Sequence, residues 1–294
     1  KENIKFLITS TSFSFGDGSS CDDFIGSIDI PIVQATCSSE SHQNWIKSSR
    51  GLNSLDLAIQ IVLPEIDGRV HLLPCAFKNH KYDDQNLEST IEKVEPYIEG
   101  IIFLTKYIVN LEKLSIKDNY NKRVSIILAN YPIKNGRIAN GVGLNTPDSI
   151  LNILQWLKKL GYNVGKSNLP VKGNEIINNL IASRTNDPES INNLPLDYLQ
   201  LDEYLNWWNT VEVKTRKIIE GRWGDPSNAF DLENNGFPIL GIKYGNISIL
   251  IQPSRSYDCN SLKDIHSPEL PPPHGYLAQY YWIREKEKSH SIIN

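Results

Sequence analysis

The stretch LPEIDGR at 63–69 contains a local pair of carboxylates, Glu65 and Asp67, followed by Arg69. Two carboxylates this close can hold a divalent metal ion, and one of them can accept a proton if burial removes it from water. The simpler alternative is an exposed acidic turn paired with Arg50 or Arg69, which is the commoner fate of such groups. On spacing alone, the simpler alternative is favoured.

Two histidines, His266 and His274, flank the rigid run SPELPPP. Histidine is the commonest metal ligand in proteins. Two histidines without a third marked ligand are weak evidence for a metal site, and the aromatic residues that follow His274 are more typical of core packing than of a cofactor platform. His266 and His274 are therefore candidate metal ligands that spacing does not decide.

A long polar loop at 130–145 (NYPIKNGRIANGVGLN) follows a predicted buried strand at 123–129. In α/β proteins ligands bind where strands end at their carboxyl side. A connection of about 16 residues is also longer than the usual ~2–6, and such loops are usually functional or mobile. Four side chains could bind carboxylate or amide groups: Asn130, Arg137, Asn140 and Asn145. The alternative, that the asparagines satisfy the backbone of turns, is equally compatible with the residues.

The elements that must position these groups alternate along the chain. Short β-branched runs predict strands, and apolar residues at helical spacing predict helices, including a long crossover helix at 87–114. Strands are predicted at 4–9, 30–35, 70–75, 123–129, 238–243 and 247–252. Helices are predicted at 55–61, where Pro64 then stops the helix, and at 87–114, 149–160, 174–184, 196–208, 211–221 and 275–288. This order predicts an α/β protein with mostly parallel, Rossmann-like sheets and flanking helices.

The length of 294 residues allows two lobes with separate cores. We place an N-terminal α/β lobe at 1–121 and a second α/β lobe at 122–294, with a helical, Asn-rich insertion at about 165–235. The glycines of GYNVGKS at 161–167 and GVGLNT at 141–146 fall short of the phosphate-loop and dinucleotide patterns. Neither ATP nor NAD is expected to bind here.

The composition describes an ordinary globular protein, with 40% hydrophobic and 22% charged residues and a formal charge of −4. This charge gives no global basic field for nucleic acid. Four cysteines lie far apart without a metal or redox spacing: Cys21, Cys37, Cys75 and Cys259. Apolar runs are too short to span a bilayer, and the start lacks a signal-peptide layout. We expect a cytoplasmic protein, and the missing methionine suggests a piece of a longer chain.

Several stretches resemble the large (CobN-type) subunit of cobaltochelatase, of the family that also contains the porphyrin-binding H subunit of magnesium chelatase. These stretches follow the family's order and cover most of the chain: SSRGLNSLDLAIQIVLPEIDGRV, ILANYPIKNGRIANGVGLNTPDSILNILQWLKKLGY, RWGDP, KYGNISILIQPSRSYD and HSPELPPPHGYLAQYYWIRE. The ending PPPHGYLAQYYW resembles the cobalt branch, because the magnesium branch usually has paired histidines there. The chain stops before a histidine- and glycine-rich segment with which the family continues, so we expect an internal fragment that is inactive by itself.

The resemblance implies a metal chelatase, a ligase that forms nitrogen–metal bonds. Its reaction is insertion of Co(II), the substrate metal, into hydrogenobyrinic acid a,c-diamide during cobalamin synthesis. ATP with Mg would be hydrolysed on a separate AAA+ partner. In this interpretation Glu65 and His274 are catalytic. The ring-binding residues are Asn130, Arg137, Asn140 and Arg69, and the metal ligands are Glu65, Asp67, His266 and His274.

Two alternatives stay open. One is a fragment of the magnesium chelatase subunit that inserts magnesium into protoporphyrin IX. The other is a non-catalytic module that docks the AAA+ partner. The central prediction is that Glu65, Arg137 and His274 converge on one cavity.

Overall fold

A computed structural model gives the fold of residues 4–15, 29–48, 50–84, 86, 88–130, 134–141, 143–166, 168–256, 267 and 269–294. The chain divides into two compact units, Lys1–Ile116 and Lys117–Asn294. Both contain helices and strand pairs that run parallel, so the predicted α/β class is confirmed. No helix in the described part of the chain is long and apolar enough to cross a membrane.

Two small sheets lie in the described residues of the N-terminal unit. In the first, β1 (Leu7–Thr9) and β4 (Val70–His71) both pair in parallel with β2 (Ile32–Gln34), which is fully buried. In the second, β5 (Ala76–Asp84) pairs in parallel with β3 (Cys37–Ser38) and antiparallel with β6 (Ser89–Pro96). The helices of this unit are α1 (His42–Lys47), α2 (Ser54–Leu57), a π-helical turn (Ala58–Val62), α3 (Leu63–Glu65) and α4 (Ile98–Ile116).

The predicted helix at 87–114 is wrong in its first part, where the hairpin of β5 and β6 stands instead. The β-branched residues Thr90, Ile91 and Val94 favour extended backbone, and Pro96 closes the strand before α4 begins. The predicted stop at Pro64 is also wrong, because Pro64 lies in the first turn of α3 after the wider π turn. Proline needs no N–H partner in that position.

The sheet of the C-terminal unit has the order β10 (Gly241–Tyr244), β11 (Ile247–Ile251), β7 (Val124–Leu128), β12 (Ser291–Ile293). β11 and β12 run parallel to β7, and β10 is antiparallel to β11. β7 and β11 are buried along their whole length, as expected of strands covered on both faces. A separate antiparallel pair joins β8 (Asp197–Gln200) and β9 (Gly236–Ile239).

Two hydrophobic clusters cover the two faces of this sheet. Alternate residues of β7 enter different clusters: Ile126 packs in the first and Ile127 in the second, because successive strand side chains point to opposite faces. The first cluster includes α5 (Thr146–Lys159) and α6 (Gly173–Ala182). The second includes α7 (Leu201–Trp208), α8 (Val213–Trp223), α9 (His274–Tyr281) and the π turn Trp282–Lys286.

Short 3₁₀ turns lie at Asn119–Asn121, Asn135–Arg137, Pro188–Ser190 and Pro226–Asn228. The predicted helix at 196–208 begins with β8, since Leu199 is completely buried opposite β9. The predicted strand at 238–243 is divided at Leu240 into β9 and β10, and β10 begins with Gly241, whose φ of +155° lies in the region that favours glycine. The strand at 124–128 and the helix that begins with Pro147 in its first turn are confirmed.

Candidate functional site

The carboxyl ends of β7 and β11 lie side by side, with Leu128 opposite Ile251. Asn186 joins the two ends, because its amide nitrogen donates to Asn130 Oδ1 and to the Gln252 carbonyl, both at 2.9 Å. Its amide oxygen accepts from the Ser254 backbone N–H at 3.0 Å. The edge of the sheet where α/β proteins bind ligands is thus organised by an asparagine from a distant segment.

A cavity of about 250 Å³ opens beside this edge, within the C-terminal unit. Residues 184–191 form one side, residues 230–240 another, and the chain after β11 a third. Its polar lining residues are Arg184, Thr185, Asn186, Asp231, Glu233, Ser254 and Ser256. Gly275, at the start of α9, also lines it.

Asp231 is a half-buried acid of the cavity lining. Its Oδ2 accepts the backbone N–H of Gly275 at 2.8 Å, while its Oδ1 is buried and has no hydrogen-bond partner. Burial raises the pKa of Asp231 to about 6; the hydrogen bond from Gly275 opposes this rise, and the charge of Glu233 adds to it. The carboxyl group therefore changes protonation state near pH 6, and a pKa raised in this way is typical of functional carboxyls.

Gly275 makes this arrangement possible. A Cβ at this position would stand 2.4 Å from Asp231 Oδ2, closer than any real contact. Only a residue without a side chain lets the amino end of α9 approach the carboxylate.

Arg184 is the cation of the cavity. Its Nη2 forms an ion pair with Glu233 at 2.6 Å, and its side chain is 12% exposed. Its Nη1 donates to the Thr185 carbonyl and to Ser190 Oγ, each at 3.1 Å. The Nε of Arg184 is buried without a hydrogen-bond partner, so the cavity lining contains one unsatisfied donor as well as the unsatisfied acceptor of Asp231.

His274 precedes Gly275 but is completely buried. Its Nε2 lies 3.0 Å from the Gly224 carbonyl, which can only accept, so Nε2 carries the hydrogen and Nδ1 accepts from Tyr204 Oη at 2.9 Å. Burial lowers the pKa of His274, against the opposing effects of Gly224, Asp225 and Glu220. With both ring nitrogens engaged, His274 is a neutral packing residue here and offers no lone pair to a metal ion, which corrects the expectation of an open ligand.

The predicted acidic site separates into two different environments. Glu65 is exposed, whereas Asp67 and Arg69 form a fully buried ion pair at 2.6 Å. Asp67 also accepts hydrogen bonds from Ser14 Oγ and the Phe15 backbone N–H. These bonds and Arg69 hold the pKa of Asp67 below its ordinary value, although burial alone would raise it.

Arg69 also donates within the fold from both of its terminal nitrogens, while its buried Nε has no hydrogen-bond partner. It donates to the Thr11 and Phe13 carbonyls and to Gln34 Oε1. Neither Asp67 as a metal ligand nor Arg69 as a ring-binding group fits these contacts, because both side chains are completely buried and their bonded atoms secure the segment before residue 16 and strand β2. This too is a correction of the sequence-based expectation.

The loop after β7 places its predicted ring-binding residues differently. Asn130 is 8% exposed and bonds the Lys134 carbonyl and Asn186, whereas Arg137 and Asn140 are exposed. Asn145 caps α5 by accepting from the Asp148 N–H. Within the C-terminal unit the structure does not bring Arg137 and His274 together, since the first is on the surface and the second in the core. Asn130 does reach the cavity edge, through Asn186.

Two further points concern metal binding. His266 lies outside the described residues. In the parts of the chain that are described, no group of three or more His, Cys, Asp or Glu side chains is arranged to hold a metal ion.

Comparison with known proteins decides the family. The family described as CobN/Magnesium Chelatase matches residues 1–294. The chain belongs to the CobN/magnesium chelatase family. Its resemblance to the CobN type, inferred from the sequence motifs, is confirmed by relatives named for that subunit.

The aerobic cobaltochelatase subunit CobN of Pseudomonas aeruginosa is 36% identical over 267 residues, which are 90% of this chain and 21% of that protein. The magnesium-chelatase subunit ChlH of Oryza sativa subsp. indica is 24% identical over 305 residues, covering 100% of this chain and 20% of that protein. The structure of the catalytic subunit of cobaltochelatase from Mycobacterium tuberculosis superposes with a TM-score of 0.80 at 26% identity, over 98% of this chain and 25% of that one. The chain thus spans about a fifth to a quarter of the length of these relatives.

Sequence reasoning missed the charged residues of the cavity: Arg184, Asp231 and Glu233. They lie in the segment that we interpreted as an insertion. One signal was available, because a glycine at the start of the predicted helix at 275–288 lowers helix propensity and indicates a close approach of another group. Which group approaches was not readable from the sequence.

Proposed function

We propose that the chain is part of the tetrapyrrole-binding catalytic subunit of an ATP-dependent cobaltochelatase, which inserts Co(II) into hydrogenobyrinic acid a,c-diamide in cobalamin biosynthesis. The observation that carries this proposal is the match of the family over residues 1–294. The similarity of fold to the cobaltochelatase catalytic subunit, over 98% of this chain, supports it.

Metal insertion requires that Co(II) lose water and that the ring nitrogens lose protons. Glu65 is our candidate for the group that accepts these protons or passes on the metal ion. Its carboxylate is exposed at the end of α3, and the buried pair of Asp67 and Arg69 holds the turn that follows it. An accessible carboxylate on a rigid support has the geometry that a proton acceptor needs.

Arg137 and Asn140 are our candidates for contacts with the carboxylate and amide groups at the edge of the ring. Both are exposed in the loop after β7, next to the carboxyl edge of the sheet. Asn130 supports this loop through its bond to the Lys134 carbonyl. In this proposal Asn130 positions the loop, whereas Arg137 and Asn140 touch the substrate.

Two parts of the proposal extend beyond this chain. The Co(II) ion is a substrate, and ATP would be hydrolysed with Mg on an AAA+ partner subunit. Cobalt is favoured over magnesium because the CobN relatives are 36% and 31% identical, whereas the ChlH relatives are 24% identical. Insertion of magnesium into protoporphyrin IX is the second candidate.

Ring binding is tested by fluorescence. The chain contains six tryptophans, and a bound tetrapyrrole quenches nearby indoles. We expect saturable quenching by hydrogenobyrinic acid a,c-diamide and weaker quenching by protoporphyrin IX. The reverse order would favour the magnesium branch, and no quenching by either ring would contradict the proposal and favour a module that only docks the AAA+ partner.

The role of Glu65 is tested in the full-length subunit with its ATPase partners. Glu65→Gln removes the proton acceptor, so we expect the turnover number for cobalt insertion to fall by about 100-fold or more while the Kd for the ring is unchanged. Glu112→Gln, at an exposed position of α4, is the matched control. Normal turnover of the Glu65 variant would remove this residue from the mechanism.

A further inference from the structure

The cavity beside β7 and β11 contains two buried polar atoms that lack hydrogen bonds, Asp231 Oδ1 and Arg184 Nε. Buried polar atoms in folded proteins are nearly always paired, and an exception needs an explanation such as a missing ligand. Here Asp231 Oδ1 is an unpaired acceptor and Arg184 Nε is an unpaired donor. Both belong to side chains that line the same cavity.

The other polar atoms of these two side chains are already in use. Asp231 Oδ2 accepts from Gly275, and the Arg184 nitrogens Nη1 and Nη2 bond Ser190 and Glu233. The two side chains are therefore held in place, and each retains one buried atom without a hydrogen-bond partner.

The charges disfavour two classes of group at these positions and are compatible with a neutral group that both donates and accepts. A carboxylate has acceptors only and would lie beside the Asp231 carboxylate. An ammonium group has donors only and would lie beside the Arg184 guanidinium. A primary carboxamide is neutral and carries a carbonyl acceptor and N–H donors on one carbon.

We propose that this cavity is a binding site for a primary carboxamide, whose N–H group donates to Asp231 Oδ1 and whose carbonyl accepts from Arg184 Nε. Resting on the proposed function, the carboxamide is one of the amide side chains of hydrogenobyrinic acid a,c-diamide. The cavity then contacts the edge of the ring and binds amidated rings more tightly than non-amidated ones. A site that hydrogen-bonds a polar group rejects an analogue that leaves the partners in the site unpaired.

Small probes test the site without relying on the ring. The ¹⁵N-labelled chain is titrated at pH 7.5 with propionamide, N,N-dimethylpropionamide and methyl propionate, and the Gly275 amide resonance is followed because it bonds Asp231 directly. We expect saturable, millimolar binding of propionamide. The two analogues retain the carbonyl but lack N–H donors, and their affinity should be lower by at least about fivefold. Equal binding of all three, or no binding, would overturn the site.

Variants locate the contacts. Asp231→Asn and Arg184→Lys should each weaken propionamide binding by about fivefold or more. Asparagine has a single acceptor oxygen, which the Gly275 N–H requires, and lysine has no guanidinium Nε. Glu189→Gln, at an exposed carboxylate beside the cavity, should bind propionamide like the unaltered chain. The comparison of probes on the unaltered chain stands even if a variant fails to fold.

Competition with the ring separates this inference from the proposed function. Hydrogenobyrinic acid a,c-diamide should displace propionamide, and hydrogenobyrinic acid, which lacks both amides, should displace it at least about fivefold less well. Ring quenching of tryptophan without displacement of propionamide would overturn the assignment of the amide while the proposed function stands. If propionamide binds but no ring quenches the tryptophan fluorescence, the carboxamide site is supported and the proposed function is contradicted.

Discussion

Asp67 in the N-terminal unit and Asp231 in the C-terminal unit both have buried carboxylate oxygens, and the two residues differ in how many of these oxygens accept hydrogen bonds. Asp67 in the N-terminal unit accepts from Ser14, Phe15 and Arg69, and its pKa is lowered. Asp231 in the C-terminal unit has one partner, Gly275, and one unpaired oxygen, and its pKa is raised to about 6. We call a carboxylate saturated when both of its oxygens accept hydrogen bonds, and unsaturated when one oxygen has no partner. A saturated carboxylate stabilises a fold, whereas an unsaturated one beside a cavity is available to a ligand.

Removing the partner of the saturated carboxylate should give the largest effect. Arg69→Met leaves Asp67 charged and buried without its cation, and we expect the free energy of unfolding to fall by about 3–5 kcal/mol. Urea unfolding at pH 7 measures this loss. Arg137→Met, at an exposed arginine, should change stability by less than about 0.5 kcal/mol; a similar loss in both variants would contradict the contrast.

For Asp231, by contrast, removing the charge should stabilise the folded protein at neutral pH. Because the pKa of Asp231 is raised from 3.8 to about 6 in the folded chain, the folded state binds a proton that the unfolded state releases. The stability that Asp231 contributes is therefore lost as pH rises from about 4 to about 6. Asp231→Asn does not titrate, so its stability relative to the unaltered chain should increase by up to about 3 kcal/mol between pH 4 and pH 7.

Measuring both proteins at both pH values cancels the pH-dependent stability that arises from the groups they share. One of these groups is His274: because its pKa is lowered in the folded state, the protein loses stability as pH falls below 6.5. A stability difference between Asp231→Asn and the unaltered chain that does not change with pH would show that Asp231 is not strained by its charge. Asp231 and Asp67 would then no longer differ in the way their charge affects the stability of the fold.

A smaller effect should follow from Gly275→Ala. The new Cβ would meet Asp231 Oδ2 at 2.4 Å, so the carboxylate must move and its bond to the Gly275 N–H is lost. We expect a loss of about 1–2 kcal/mol, comparable to one hydrogen bond to a charged group. In the double variant with Asp231→Ala the two losses should not add, since both remove the same contact; additive losses would place the clash elsewhere.

The smallest effect belongs to the exposed carboxylate that lies next to the saturated one. Glu65→Gln should alter the free energy of unfolding by less than about 0.5 kcal/mol, although we expect it to lower turnover in the full-length subunit by about 100-fold or more. This separation of stability from activity is measured by thermal unfolding and cobalt insertion on the same preparations. A large loss of stability would make Glu65 a structural residue like Asp67.

Prediction from sequence succeeded where the information is local. The apolar run Val124–Leu128 and the capped start of α5 are confirmed, because burial and capping are written in neighbouring residues. It failed at 87–96, where apolar residues spaced three apart fit a helix but pair as β6 with β5. Strand pairing depends on a partner strand, which periodicity within one segment does not reveal.

The candidate site divides in the same way. The sequence by itself determined the α/β class, the resemblance to the family and the polar loop at the end of β7. Only the tertiary structure decided that His274 and Asp67 are fully bonded and that Asp231 and Arg184 are not. The reason is physical: whether a polar atom is satisfied depends on donors and acceptors brought from segments far apart in the chain, as Gly275 is brought to Asp231.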